Sequence, residues 1–349
     1  MGLLYSFFKY SGRIALPIYF GRLEINGKEN VPKDQPYIIA PNHQSAFLDA
    51  VLLGSFAHKP VHFLTRSDVF VKPFIGALKA LNMMPVYRIR DGYEKLSKNE
   101  EVFAKCNHLL SQGLPVLIFP EGNMGEGHYL RPLTKGTARM AFQAQEGIGK
   151  DVMILPIGIN YFHHYRPRYK CIINYGTPIQ VKDYVSHYEE NKAKGLIKLR
   201  DDLSDSIKEL LVIPEKDGFV EKVKALHRNN EHLNFQSLKN TIEEKSANQP
   251  NYTTSLQWLP SLLSIFNPLT IGAVTYVLRN VVKEKQFTSS LKYTLGLVLS
   301  MIWWLLLFII TTMIWSWEIG VAATLVSIAM LLWRSDLKKR FVPIHSTCS

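Results

Sequence analysis

Residues 31–180 alternate short apolar runs with segments whose apolar residues recur at helical spacing. Short apolar runs bounded by turn residues are typical of buried strands, and the intervening periodicity is typical of helices. This alternation predicts a layered α/β domain with helices flanking a sheet. The predicted strands are residues 37–40, 61–64, 84–87, 114–119, 152–159 and 171–175, and the predicted helices are residues 46–56, 74–81, 100–111 and 134–145.

The region 256–345 is predicted to be a membrane region, because its apolar runs are much longer. Residues 293–314 contain no charged residue and exceed the roughly 20 residues that cross a hydrocarbon core. A second run, residues 319–333, follows a short turn, so we expect a transmembrane helical hairpin. Basic residues at both outer ends place those ends in the cytoplasm; they are Lys283, Lys285, Lys292, Arg334, Lys338, Lys339 and Arg340.

Three further stretches are less regular. Residues 256–277 are apolar but broken by Pro260 and Pro268, which predicts a kinked or re-entrant element. Residues 181–255 are charged and predict solvated amphipathic helices. Residues 1–30 predict an amphipathic helix bordered by Lys9 and Arg13, which either lies at a bilayer surface or packs on the protein; a signal peptide is not expected.

Charge narrows the set of partners. The 41 Lys and Arg residues exceed the 29 Asp and Glu residues, giving a formal net charge of +12. This excess favours an anionic partner: nucleic acid, an anionic lipid surface or a phosphorylated substrate. Nucleic acid is disfavoured, because the basic residues are dispersed and the chain carries a predicted membrane span. Cys106, Cys171 and Cys348 lie far apart, so neither a disulfide framework nor a metal-binding knuckle is predicted.

The segment NHQSAFLD, residues 42–49, follows the first predicted strand. Residues six apart on one helix do not face each other, so His43 must precede the helix if it is to meet Asp49. Ser45 is a plausible N-cap. A carboxylate that holds one imidazole nitrogen leaves the other free to take a proton from a hydroxyl. Alternatively, His43 is a histidine satisfied in a turn, and Asp49 stabilises the helix or is solvated.

Two later strands also end on polar residues, where ligands bind in α/β sheets. FPEG, residues 119–122, leads into a glycine-containing loop, and Lys135 and Arg139 follow it. This arrangement suits an anionic substrate, although Gly122 could serve a sharp turn and Glu121 could pair with a structural cation. PVYRIRDG places Arg88 and Arg90 after a strand, where a guanidinium can grip a phosphate; a surface role is the alternative.

Other chemistry receives less support from the sequence. His128, His163 and His164 have no recognised metal-ligand spacing, and we predict neither a metal site nor a cofactor. No GxSxG segment occurs, which argues against a serine esterase. The tract HHYRPRYK, residues 163–170, is assigned to a donor phosphate or to a carrier-protein surface.

The chain resembles the glycerolipid acyltransferase family through NHQSAFLD, PVYR, FPEG and ILPIGIN, in that order, over roughly residues 30–180. The resemblance implies an α/β fold with a mixed sheet and flanking helices. It implies His43 as base and Asp49 as its partner, with Arg88, Glu121 and Gly122 at an acceptor-phosphate site, and Pro156 on the acyl-donor side. The family motif has four residues between His and Asp, whereas this chain has five.

The expected function is transfer of an acyl group from acyl-CoA or acyl-carrier protein to a glycerophosphate-type acceptor, glycerol-3-phosphate or lysophosphatidate. The expected site is His43 and Asp49 for catalysis and Arg88, Glu121, Gly122 and Lys135 for substrate binding. The enzyme would be integral to the lipid bilayer with its catalytic domain on the cytoplasmic face. Two alternatives are the same chemistry on a lyso-aminolipid and a catalytically silent lipid-binding scaffold.

Overall fold

The structure is a computed structural model of the chain, and it describes residues 2–88, 94, 97–125, 127–226, 231–243, 256, 258–282, 284 and 287–341. Arg90, Lys283, Lys285 and Cys348 lie outside those residues.

A mixed sheet forms the centre of the fold. Its strands are β1 (Leu23–Asn26), β2 (Tyr37–Pro41), β3 (His62–Arg66), β4 (Met83–Val86), β5 (Val116–Leu117), β6 (Met153–Tyr161), β7 (Cys171–Tyr175) and β8 (Ile179–Gln180). They follow the order β1-β7-β6-β2-β5-β3-β4, with β8 paired to β6. Strands β2 to β6 are joined by parallel pairings, whereas β7 and β8 run antiparallel to β6. The α/β class with a mixed sheet is therefore confirmed.

Helices cover both faces of the sheet and extend beyond it. They are α1 (Leu3–Phe20), α2 (Phe47–Phe56), α3 (Ile75–Ala80), α4 (Lys98–Ser111), α5 (Gly136–Ile148), α6 (Val185–Glu190), α7 (Lys192–Glu209), α8 (Phe219–Leu226), α9 (Phe235–Glu243), α10 (Leu259–Leu262), α11 (Pro268–Asn280), α12 (Thr288–Ile314) and α13 (Trp317–Phe341). Helices α4, α5 and α7 bury apolar side chains on one face, and α1 and α2 on the other. The two layers enclose β2 and β5 at the centre.

The sequence prediction did not include β1 and β8, which have four and two residues. Gly21, whose φ is +66°, ends α1. The chain then enters β1, which pairs in parallel with β7. The segment predicted as a membrane-associated helix therefore also contributes a strand to the sheet, because its last residues find their partner about 150 positions later.

Helix α1 carries a buried stripe, which is apolar except for Lys9, and an exposed apolar stripe. One is buried against the protein and comprises Tyr5, Lys9, Gly12, Leu16 and Phe20. The other is exposed and comprises Leu3, Phe7, Tyr10, Ile14 and Ile18. Lys9 and Arg13 donate to carbonyls at the end of α2, where the helix dipole favours cations. The helix thus packs on the protein and still presents an apolar face.

The C-terminal hairpin is present as α12 and α13, both long and apolar enough to cross a membrane. Before it, Leu259–Phe266 and Pro268–Asn280 form a pair bent by 117°, as the two prolines predicted. Asn267 at the bend is fully buried and donates to Ser327 O at 2.8 Å. Trp303 Nε1 donates to Phe266 O at 2.9 Å, so the bend's free carbonyl is satisfied by the hairpin.

Candidate active site

The turn after β2 is locked to β6 by an asparagine. Asn42 Nδ2 donates to Ile159 O at 3.0 Å, and Ile159 N donates to Asn42 Oδ1 at 2.7 Å. The side chain is fully buried, so both of its polar ends need these partners. The amide therefore holds the turn that carries His43 at the carboxyl end of a central strand.

His43 precedes α2 and meets Asp49 in the first turn of that helix. His43 Nδ1 lies 2.8 Å from Asp49 Oδ2. The carboxylate is completely buried, whereas the imidazole keeps 13% of its surface exposed. The ring stacks on Phe119, with 3.7 Å between centroids. The second nitrogen, Nε2, is thus the one left for a substrate, which is the arrangement a general base requires.

Asp49 also binds the turn that precedes its own helix. Its Oδ2 accepts from Gln44 N at 2.9 Å and from Ser45 N at 2.8 Å. The predicted N-cap role of Ser45 is wrong: the cap position is Ala46, and Ser45 Oγ has no hydrogen-bond partner among the described residues. Asp49 therefore ties the backbone of the His43 turn to the first turn of α2.

The turn absorbs the extra residue between His43 and Asp49 at Ala46. Ala46 has φ +47° and ψ −127°, a conformation that favours glycine. Leu48 N donates to Ser45 O at 3.0 Å across this tight turn. The insertion therefore changes the backbone of the turn while His43 and Asp49 remain in contact.

Tyr161, the last residue of β6, holds the other carboxylate oxygen. Its hydroxyl donates to Asp49 Oδ1 at 2.6 Å. Burial, together with the nearby Asp49 carboxylate, raises the pKa of Tyr161 well above its usual value. The hydroxyl therefore stays protonated and serves as a donor. Both oxygens of Asp49 are thus fixed, and the aspartate can hold His43 in one orientation.

Glu121 links the His43 turn to the loop after β5. Its Oε1 accepts from His43 N at 2.6 Å, and its Oε2 accepts from Arg131 Nε at 2.7 Å. Burial raises the pKa of Glu121, and Arg131 opposes that shift. Arg131 also donates to Met124 O at 2.8 Å. Both carboxylate oxygens are used inside the protein, so Glu121 positions two loops.

Gly122 is required by the backbone at this loop. Its φ is +69°, and a Cβ added there would lie 3.0 Å from Thr134 Cγ2. Thr134 N in turn donates to Pro120 O at 2.8 Å. Lys135 follows directly, exposed at the start of α5. Lys135 O accepts from Arg139 N within α5, and among the described residues no contact joins the Lys135 side chain to His43.

Arg88 follows β4 and lies against the same loop. Its Nη1 lies 3.3 Å from Asn123 Oδ1, and its Nη2 lies 3.1 Å from Asp68 Oδ2. Asp68 also accepts from Arg66 Nη2 at 2.6 Å, and these two guanidinium groups lower its pKa. Gly125 N donates to His43 O at 3.3 Å. The 121–125 loop thus connects the Arg88 group to His43.

Comparison with known proteins identifies the segment that carries these residues. Residues 22–160 match the family described as Acyltransferase. This matched segment is called the acyltransferase domain below. The domain includes the His43–Asp49 pair, Arg88, Glu121 and Gly122. Tyr161 lies directly after the matched segment.

The relatives that the domain matches have names from glycerolipid synthesis. A 1-acyl-sn-glycerol-3-phosphate acyltransferase of Chlamydomonas reinhardtii is 32% identical over 126 residues, 36% of this chain and 36% of that protein. The sheep (Ovis aries) 1-acyl-sn-glycerol-3-phosphate acyltransferase alpha is 32% identical over 139 residues, 39% of this chain and 46% of that protein. Glycerol-3-phosphate O-acyltransferase 2 of Saccharomyces cerevisiae is 31% identical over 119 residues, 33% of this chain and 16% of that protein.

In each of these pairs the match spans less than half of the relative's own length. Among solved structures, the 1-acyl-sn-glycerophosphate acyltransferase PlsC of Thermotoga maritima superposes with a TM-score of 0.43 and 20% identity, covering 59% of this chain and 78% of that one. The sequence matches support placing the acyltransferase domain in the glycerolipid acyltransferase family.

The C-terminal hairpin contacts the acyltransferase domain at the turn that carries His43. Ser290, in the first turn of α12, donates from Oγ to Ser45 O at 2.7 Å and accepts from Leu48 N at 3.0 Å. Ser289 Oγ donates to His164 O. Both serines are buried. The helix that begins the hairpin therefore braces the turn that contains Ala46.

The remaining histidines lie behind the catalytic turn. His163 and His164 lie in the loop that follows β6, which ends at Tyr161. His164 Nε2 lies 3.1 Å from Gln44 Oε1, and its ring is 4.1 Å from that of His128. These contacts stabilise the residue next to His43.

Replacing Tyr161 with phenylalanine tests its positioning role. We expect Tyr161→Phe to lower kcat about tenfold, because one donor to Asp49 is lost from a buried network, while the fold survives. The pH dependence of kcat should also change, since Asp49 would hold the imidazolium less firmly. Tyr19→Phe is the matched control, because the buried hydroxyl of Tyr19 has no hydrogen-bond partner among the described residues. An unchanged rate and pH profile in Tyr161→Phe would contradict the assignment.

Replacing Ser290 with alanine tests the brace from α12. Both hydrogen bonds to the catalytic turn disappear in Ser290→Ala, so we expect kcat to fall roughly threefold to tenfold and the free energy of unfolding to fall by about 1–2 kcal/mol. Ser335→Ala is the control, because Ser335 Oγ bonds to Leu331 O within its own helix. Equal effects of the two changes on acyl transfer would refute a specific brace.

Proposed function

We propose that the chain is a membrane-bound O-acyltransferase that esterifies a hydroxyl of a glycerophosphate-type acceptor with an acyl group from a thioester. The observation that carries this proposal is the 2.8 Å contact between His43 Nδ1 and the buried Asp49 carboxylate, with the other imidazole nitrogen left for substrate. The Acyltransferase-family domain supports the reaction class. The names of the relatives support glycerol-3-phosphate or lysophosphatidate as acceptor.

The reaction requires one proton transfer at His43. Its Nε2 takes the proton of the acceptor hydroxyl as that oxygen attacks the thioester carbonyl carbon. The C–S bond then breaks, the ester remains, and the proton passes to the departing thiolate. No covalent enzyme intermediate is needed. Asp49 stabilises the imidazolium that forms, and Tyr161 and two backbone amides keep Asp49 in place.

Arg88 is the proposed ligand of the acceptor phosphate. Its guanidinium lies beside Asn123 in the loop that contacts the His43 turn. A phosphate bound there would accept hydrogen bonds from the guanidinium of Arg88, close to Asp68. The paired N–H groups of a guanidinium match the geometry of phosphate oxygens. Glu121 and Gly122 would contribute by shaping this loop, and Lys135 would add positive charge at the start of α5.

Membrane attachment would bring the site to its lipid substrate. The two apolar helices of the hairpin are the proposed anchor, and the exposed apolar stripe of α1 would lie in the bilayer surface. The basic outer ends of the hairpin favour a cytoplasmic catalytic domain. An acyl-CoA or acyl-carrier-protein donor would reach the site from that side.

An acceptor profile tests this proposal. Purified full-length protein should esterify glycerol-3-phosphate or lysophosphatidate, and Arg88→Gln should raise KM for the phosphorylated acceptor about tenfold with little change in kcat, since one charge-assisted contact is lost. Arg200→Gln, at a surface ion pair, is the control. Preference for a lyso-aminolipid, with no effect of Arg88→Gln, would show that the acceptor is of another class.

A further inference from the structure

Four positively charged side chains gather where the acyltransferase domain meets the outer ends of the hairpin. Lys292 lies in the second turn of α12, and Arg334 and Lys338 lie one helical turn apart on α13. Arg166 belongs to the loop after β6. Lys292 Nζ donates to Tyr165 O, next to Arg166, and the charges of Lys338, Arg166 and Arg334 oppose that of Lys292. We call these four residues the cation cluster.

Lys292, Arg334 and Lys338, the three cluster residues on α12 and α13, differ from their neighbours because they form no ion pair with a carboxylate of the described residues. On the adjoining face of α13, Asp336 pairs with Arg168 at 2.8 Å and Lys339 pairs with Glu231. Among the described residues, no carboxylate forms an ion pair with Lys292, Arg334 or Lys338. Two of those three donate to neutral oxygens, Lys292 to Tyr165 O and Arg334 to Ser264 Oγ.

Neutral acceptors leave the positive charge of these groups uncompensated. All four side chains of the cation cluster are half-buried, so water solvates them incompletely and their mutual repulsion is weakly screened. Buried neighbours on the same helices, Tyr293 and Leu337, are largely apolar. A bound anion would supply the missing negative charge.

The position of the cation cluster along the hairpin indicates where that anion would come from. The hydrocarbon core occupies roughly 20 residues of a spanning helix, and α12 and α13 have 27 and 25 residues. The inner turn between them, at Trp315 and Ser316, is remote from the acyltransferase domain. Lys292 and Lys338 therefore fall beyond the hydrocarbon core on the domain side, at the depth of lipid headgroups.

We propose that the cation cluster binds a phosphate group, supplied at this depth by the headgroup of an anionic phospholipid. The site lies on the hairpin and the 162–170 loop, apart from His43 and Arg88. Ser289 and Ser290, three and two residues before Lys292, contact the loop of His164 and the His43 turn, respectively. Occupancy of the cation cluster would thus fix the hairpin against the acyltransferase domain. The proposal does not depend on the proposed function.

Lipid retention by the full chain tests this site. The protein would be purified in dodecyl maltoside micelles containing phosphatidylglycerol or phosphatidylcholine, and native mass spectrometry would count the lipids retained. Phosphatidylglycerol is neither substrate nor product of the proposed reaction. We expect the wild type to prefer phosphatidylglycerol about tenfold, and the Lys292→Gln, Lys338→Gln double variant to lose that preference, since each basic residue near a bilayer attracts anionic lipid.

The control is the double variant Arg279→Gln, Arg340→Gln, which removes two exposed charges from the same membrane region outside the cation cluster. It should keep the preference for phosphatidylglycerol. Equal loss in both double variants, or no loss in either, would overturn the proposal.

Inorganic phosphate and adenosine 3′,5′-bisphosphate distinguish the two sources of the phosphate group. Displacement of the lipid by millimolar amounts of either compound would assign the site to a soluble phosphate and overturn the lipid source.

The thermal unfolding temperature in phosphatidylcholine micelles shows whether the variant is correctly folded. Because Lys338→Gln relieves repulsion between like charges, and Lys338 forms no hydrogen bond or ion pair with the described residues, this single variant should unfold at the same or a higher temperature than the wild type when no anionic lipid is present. A lower unfolding temperature under these conditions would mean that partners within the protein hold the cations, and would contradict the site.

Discussion

The variant His43→Ala should lose acyl transfer by about 10²- to 10⁴-fold, the usual contribution of a positioned general base. The imidazole is the group with a nitrogen left for the acceptor hydroxyl, and its other nitrogen is occupied by Asp49. The remaining structure should persist, because the ring is partly exposed and its backbone bond to Glu121 does not involve the side chain. Initial rates in detergent micelles, with saturating donor and acceptor, provide the measurement.

His187→Ala is the matched control for this change. His187 is an exposed histidine on α6, remote from the catalytic turn in sequence. It should retain the wild-type rate. Retention of more than about a tenth of the activity in His43→Ala, with an unchanged pH profile, would exclude His43 as the base.

The variant Asp49→Asn should combine a loss of rate with a loss of stability. The carboxylate accepts from four donors: His43 Nδ1, Gln44 N, Ser45 N and Tyr161 Oη. An amide replaces one accepting oxygen with an NH₂ group, so at least one donor must face another donor. We expect kcat to fall by about 10²- to 10⁴-fold, because the histidine tautomer is no longer dictated.

The accompanying stability change separates this variant from His43→Ala. One unsatisfied buried donor costs about 1–3 kcal/mol of the free energy of unfolding. Denaturant titration of the two variants and of Asp217→Asn, an exposed aspartate, would measure it. If Asp49→Asn unfolded like wild type and kept its rate, the proposed hydrogen-bond network around Asp49 would be wrong.

Spacing alone predicted where His43 must lie if it is to contact Asp49. Six residues on one helix point in different directions, so the contact required His43 to lie in the preceding turn, where the structure places it. Arg88 and FPEG were predictable as strand ends for a similar reason: β2, β4 and β5 belong to one parallel set, so their carboxyl ends share an edge of the sheet.

Long-range partners left no comparable signal in the sequence. Tyr161 is one apolar residue among several in ILPIGINY, and its contact with Asp49 spans 112 positions. Ser290 lies 242 positions from Leu48, in the region that the sequence predicts to be a membrane region. Arg131 begins the segment RPLTKG and does not follow a predicted strand. Nevertheless Arg131, and not Arg88, forms the ion pair with Glu121. Each of these contacts depends on the sheet order and on how the hairpin docks.

The sequence also does not explain how NHQSAFLD accommodates its extra residue. A fifth residue between His43 and Asp49 would place the aspartate differently if the turn were regular. The backbone at Ala46, with φ +47°, absorbs it, and Ser290 braces the peptide before it. Local propensity does not predict a positive φ at alanine, so only the folded chain explains why the longer motif keeps its contact.

The measurement that tests the central claim most directly is product analysis by the purified full-length protein. Acyl-CoA would be incubated with glycerol-3-phosphate or lysophosphatidate, and mass spectrometry of the lipid would be paired with titration of released thiol. The account predicts one new acyl ester per thiol released, dependent on acceptor and on His43. Normal lipid binding without turnover on any acceptor, or thiol release that yields only free fatty acid, would contradict it.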